Sequence, residues 1–240
     1  RQRHAPDMLP RQTKPRTVVP SDDPSSDREI DAFIRAALQP QVSRGRLIFA
    51  LDATMSRQPT WDLACSQQAA MFDAAAGLGG LTVRLAYFRG TGEAKASRWV
   101  SDPAQLSGMM ARIACAGGRT QIRRMLSLAE RDAAEGRLTA MIYVGDCMEE
   151  DEDDLCDRAG RLALYGVRAF MFHEGADRTA ERTFREIARL TGGVYRRFDS
   201  TAPEELRALL EAVAVYAAGG RKALAARSSP AARALLADRP

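Results

Sequence analysis

The 240-residue chain has little cysteine, histidine or aromatic side chain: four Cys, two His and 6% aromatics. The cysteines Cys65, Cys115, Cys147 and Cys156 show no Cys-x-x-Cys spacing. Reduced, mostly buried thiols are the reading, with a Cys147–Cys156 disulfide as the alternative. No apolar run approaches the roughly 18 residues of a membrane-spanning helix. No basic, apolar and small-residue segment opens the chain, so no signal peptide is expected, although the sequence begins at Arg1 rather than Met. A cytoplasmic location is the expectation. There is no phosphate-cradling Gly-Lys loop and no Ser-His-Asp arrangement, so no activated nucleophile is visible.

What is present is an ordinary core composition, 45% apolar and 28% charged, enough for one domain with tails. The net charge of +4 belongs to the ends. Residues 1–20 and 221–240 each carry five Lys or Arg against one Asp, so residues 21–220 are mildly acidic. Pro6, Pro10, Pro15, Pro20 and Pro24 give residues 1–27 linker composition. Residues 221–240 read as a basic Ala/Arg-rich tail, leaving 28–220 as the domain. Neither end has aromatic interleaving or a dense basic run, so solvated tails are expected rather than a nucleic-acid surface.

Within the domain, strand and helix signals alternate. A short helix is expected from Asp27 to Leu38, stopped by Pro40. Leu47 to Leu51 is an apolar run without alternation, as in a strand buried on both faces. Further strands are expected at Val83–Phe88, Leu138–Val144, Val167–Phe172 and Val194–Phe198, with a short edge strand at Ser97–Val100. Helices are expected at Thr60–Ala76, Pro103–Ile113, Thr120–Glu135, the acidic run to Tyr165, Thr179–Leu190 and Pro203–Tyr216. This alternation requires a mostly parallel sheet covered on both faces, and the fold expected is a doubly wound α/β one, six-stranded and flanked by helices, with one short antiparallel edge strand.

The central strand ends in Asp52, followed by hydroxyls at Thr54 and Ser56. Oxygen donors at the carboxyl end of a buried strand suit a hard cation such as Mg²⁺, and that edge is where open α/β sheets bind ligands. Asp52-Ala53-Thr54-Met55-Ser56 resembles the Asp-x-Ser-x-Ser motif of the von Willebrand factor A-type (VWA) domain, with Thr for the first Ser. Gly117-Gly118-Arg119-Thr120 and Gly145-Asp146 resemble, in order, the loops that complete its metal-ion-dependent adhesion site. Cys147 stands where the family usually has Gly. The resemblance covers residues 44–218.

The resemblance implies one Mg²⁺ or Mn²⁺ on Asp52, Thr54, Ser56, Thr120 and Asp146, completed by an Asp or Glu of another protein. It implies a bacterial-type, stand-alone intracellular domain that binds rather than catalyses. Arg119, Glu149 and His173 are candidates for the partner-binding rim, and the chain is read as a monomer without membrane or nucleic-acid contacts. Two other readings stand beside it. A strand ending in Asp-x-Thr also resembles haloacid-dehalogenase-type phosphatases, with Asp52 as nucleophile, but Thr54 occupies the acid/base position and cannot transfer the proton. Nucleic-acid binding through the basic ends rests on composition alone.

Overall fold

The computed structural model of the chain describes residues 45–136, 138–199 and 203–237. The Pro-rich segment and the helix expected at Asp27–Leu38 lie outside them. In chain order the elements are β1 (Gly45–Asp52), a short 3₁₀ turn (Met55–Arg57), α1 (Gln58–Ala76), β2 (Leu81–Arg89), β3 (Glu93–Val100), α2 (Pro103–Met110), α3 (Ile122–Glu135) and β4 (Ala140–Gly145). There follow α4 (Glu152–Leu164), β5 (Arg168–Glu174), α5 (Arg178–Leu190), β6 (Val194–Phe198), α6 (Pro203–Ala225) and α7 (Pro230–Ala237).

The six strands form one sheet in the order β3-β2-β1-β4-β5-β6. All neighbours pair in parallel except the edge strand β3, which runs antiparallel to β2. The antiparallel edge strand covers eight residues, longer than its sequence signal of Ser97–Val100. β1 is buried on both faces: Leu47, Phe49 and Leu51 enter one core and Ile48 and Ala50 the other. The first core is covered by α1, α2, α6 and α7, the second by α3, α4 and α5. The continuous apolar runs of β1 and β4 follow from this double burial.

The chain leaves β1 toward β2 and β3 on one side, and β4 leads to β5 and β6 on the other. The strand order therefore reverses between β1 and β4. Their carboxyl ends open on one edge, where a crevice forms between connections that diverge. Asp52 closes β1, Asp146 follows β4 and Glu174 closes β5, so three carboxylates reach that edge.

The expected C-terminal tail is a correction. Residues 203–225 form α6, which bends at Gly220 (φ 68°), and α7 follows. Leu224, Ala232 and Leu235 are buried in the first core. Alanine- and arginine-rich composition reads as a tail in sequence, yet its small faces pack closely once an apolar surface is presented to them. Among the described residues no helix is long and apolar enough to cross a membrane.

Candidate metal centre

Asp52 is 2% exposed. Its Oδ1 accepts the Thr54 N–H at 2.8 Å, a bond that turns the loop just beyond the strand. Its Oδ2 is buried with no partner among the described residues. Burial pushes this carboxyl up to about 6, and the Thr54 N–H opposes the rise.

The Thr54 and Ser56 hydroxyl oxygens lie 3.4 Å apart, and Ser56 Oγ donates to Asp146 Oδ2 at 3.1 Å. Asp146 Oδ1 is likewise a buried carboxylate oxygen without a partner among the described residues. Asp52, Thr54, Ser56 and Asp146 are thus linked across the gap between β1 and β4. One oxygen each of Asp52 and Asp146 and the Cys147 sulfur lie within 4.8 Å of one another.

Thr120 enters from the loop before α3. That loop is fastened beside the first motif, because Ala116 N–H donates to Ala53 O at 3.0 Å. Thr120 itself is paired reciprocally with Glu149: its N–H donates to Glu149 Oε2 at 3.2 Å, and its Oγ1 accepts the Glu149 N–H at 3.1 Å. Glu149 and Arg119 are exposed.

His173 is placed differently from its expected position on the rim. It lies inside β5 and is fully buried, because the strand runs on to Glu174. Its Nε2 contacts the Asp146 carbonyl at 3.1 Å and its Nδ1 the Tyr195 hydroxyl at 2.9 Å. A carbonyl only accepts, so Nε2 carries the proton and Nδ1 accepts from the tyrosine. Burial lowers its pKa and keeps the ring neutral. His173 steadies the Asp146 loop from behind.

The acidic run from Glu149 to Asp154 also divides by role. Asp151 caps α4 through the Asp154 N–H at 2.9 Å. Glu150 instead accepts the Ile122 and Arg123 N–H groups at 2.5 and 3.0 Å, which caps the start of α3.

Two residues of this edge, Arg57 and Glu174, were not foreseen from sequence. Arg57 ends the 3₁₀ turn, and its side chain is 3% exposed. It is ion-paired with Glu174 through Nη1, which also stands 4.0 Å from Asp146 Oδ2. Thr60 donates a further hydrogen bond to Glu174. The one available signal was position: both residues adjoin the carboxyl edge of the sheet.

The architecture of sheet and crevice decides the fold comparison. The chain has the von Willebrand factor type A fold. A von Willebrand factor type A protein from Catenulispora acidiphila superposes with a TM-score of 0.61 at 17% identity, over 72% of this chain and 43% of that one. This chain therefore spans less than half the length of that protein. An aerotolerance-related membrane protein from Bacteroides fragilis matches with a TM-score of 0.51 at 20% identity, over 67% of this chain and 96% of that one. The SpRpn10 VWA domain matches with a TM-score of 0.50 at 14% identity, over 65% of this chain and 87% of that one. No family model matches the sequence, and no curated protein matches it. Shared architecture at these identities is a statement about the VWA fold, so function must be argued from the site.

The donor set fits a hard divalent cation. It offers two carboxylates with orphaned oxygens and neighbouring neutral hydroxyls. A separate cleft of about 430 Å³ between β3 and α3 is lined by Arg84, Lys95, Arg124 and Arg131 and includes none of these residues.

Proposed function

We propose that the chain is a metal-dependent protein-binding module. Asp52, Thr54, Ser56, Thr120 and Asp146 hold Mg²⁺ or Mn²⁺ at the carboxyl edge of the sheet. A bound divalent cation supplies an open coordination position that attracts a carboxylate from outside. The single observation that carries this reading is the pair of buried, unpartnered oxygens, Asp52 Oδ2 and Asp146 Oδ1, on either side of the crevice. Buried acceptors without donors are costly, and a cation answers two of them at once.

Asp52 and Asp146 contribute the charge, and Thr54, Ser56 and Thr120 contribute neutral oxygens. This ligand set would leave a bound divalent cation under-neutralised, so the centre would favour an Asp or Glu offered by a protein partner. Arg119 and Glu149, both exposed beside Thr120, contact that partner's flanking groups. His173 is excluded from such contact by its burial. In this reading the protein is a cytoplasmic monomer that works by binding, without turnover.

Calorimetry on the wild type and Asp52→Ala tests the metal. Loss of Asp52 should weaken Mg²⁺ or Mn²⁺ binding at least about tenfold by removing one full charge. Equal affinity in the two proteins would refute the site. A pull-down with Mg²⁺ and with chelator tests the partner, which should be retained only with metal. Phosphatase activity present in the wild type and lost in Asp52→Asn would replace this reading by the hydrolase one.

A further inference from the structure

Arg57 follows Ser56 directly, yet it is not a surface residue. Its side chain is 3% exposed, and it faces two of the edge carboxylates, Asp146 and Glu174. Its Nε and Nη2 are buried without partners among the described residues. A guanidinium held this way is too enclosed to meet another protein. It is also a costly group to bury, since an apolar side chain would pack there with a smaller desolvation penalty. Its charge is the property that distinguishes it from such a side chain.

The charge stands on the centre itself. Asp146 Oδ2 accepts the Ser56 hydroxyl at 3.1 Å and lies 4.0 Å from Arg57 Nη1. The other oxygen of the same carboxylate is the orphaned Oδ1. A cation on Oδ1 and the guanidinium near Oδ2 therefore share one carboxylate and repel each other. Formally, Asp52, Asp146 and Glu174 are three negative charges and Arg57 is one positive charge.

We propose that Arg57 is a built-in counter-cation that sets the metal affinity of this centre, holding it weaker than the bare carboxylates would give. Glu174 is the opposing half of the device: it keeps Arg57 in place and adds negative charge. Arg57 thus partly neutralises Asp146 and Glu174 when no metal is bound. This inference rests on the metal reading above.

The test is calorimetric titration of Mn²⁺ alone into the full chain as wild type, Arg57→Met, Glu174→Gln, the double variant and Asp52→Ala. A unit charge at this range in a partly buried site moves cation affinity by about tenfold. Arg57→Met should therefore bind Mn²⁺ about tenfold more tightly, and Glu174→Gln about tenfold more weakly. The double variant restores the wild-type charge and should return to within about threefold of wild type. Glu174→Gln keeps an acceptor for Arg57 and Thr60, so it reports even where Arg57→Met fails to fold. Opposite shifts in the two single variants support the proposal. Single variants that both weaken binding, as a purely packing role would give, overturn it. So does a flat series in which only Asp52→Ala loses metal, and that result leaves the metal site standing. Equal affinity in Asp52→Ala and wild type removes the metal reading and this proposal together.

Discussion

Cys147 stands beside both carboxylates of the centre, yet its chemistry separates it from them. A neutral thiol is a soft donor, while Mg²⁺ and Mn²⁺ take hard oxygens. Cys147→Ala should leave Mg²⁺ affinity within about twofold of wild type, in contrast to the roughly tenfold loss expected for Asp52→Ala. A large loss of Mg²⁺ binding in Cys147→Ala would assign the sulfur a direct role. The other thiols are also quiet: burial pushes Cys65, Cys115 and Cys156 up to about 11. They should react with iodoacetamide at pH 7 far more slowly than a free thiol and reach full reactivity only in denaturant, as followed by mass spectrometry. At this scale the sequence displayed the candidate residues well, because Asp52, Thr54 and Ser56 sit within five residues of each other. It hid Arg57 and Glu174, whose pairing joins the turn after β1 to the end of β5 and exists only after the sheet closes.

The elements hold these residues in place through close backbone contacts. Gly118, in the loop that carries Thr120, packs against Gly90 at the β2–β3 turn: a Cβ there would stand 2.0 Å from the Gly90 carbonyl oxygen. The neighbouring Arg119 N–H donates to that same oxygen at 3.2 Å. Gly118→Ala should therefore push the Thr120 loop off its seat and weaken Mg²⁺ binding, while the sheet keeps its far-ultraviolet circular dichroism. Unchanged Mg²⁺ affinity in that variant would show that Thr120 is not needed. The turn itself is held by Glu93, whose carboxyl Arg89 and then Lys95 keep down at about 2. Its folded pKa is below its ordinary value of 4.5. The stability it adds is thus present above about 4.5 and fades as pH falls toward about 2. Glu93→Gln should flatten the loss of melting temperature between pH 5 and pH 3, whereas an identical acid profile would show the pair to be without effect. Strand and helix existence was legible here because each apolar run had one period. Edge-strand length was not, since half-exposed β3 alternates only weakly.

At the scale of the whole molecule, the C-terminal helix is the feature that composition concealed. Five basic residues and many alanines from residue 221 onward look like a solvated tail. The Pro230–Ala237 helix nevertheless lays Ala232 and Leu235 into the core shared by α1 and α6, with Leu235 5% exposed. Arg227 Nη2 donates to Ala74 O at 3.0 Å, fastening the approach to α7 to the last turn of α1. Helix α1 begins immediately after Arg57 at the carboxyl edge of the sheet and ends at Ala76, next to the start of β2. Its last turn therefore lies at the opposite edge of the sheet from Asp52. Truncating Leu235 removes buried apolar surface and leaves a cavity at that far end, a loss of about 2 kcal/mol for a leucine near the periphery of a core. Leu235→Ala should lower the urea midpoint accordingly, with an unchanged slope. Mn²⁺ affinity at 25 °C should stay at the wild-type value, because the folded population still dominates and no ligand has moved. A midpoint equal to wild type would mean that α7 contributes nothing to the fold. A fall in metal affinity with folding intact would mean that the two edges of the sheet are energetically coupled through α1.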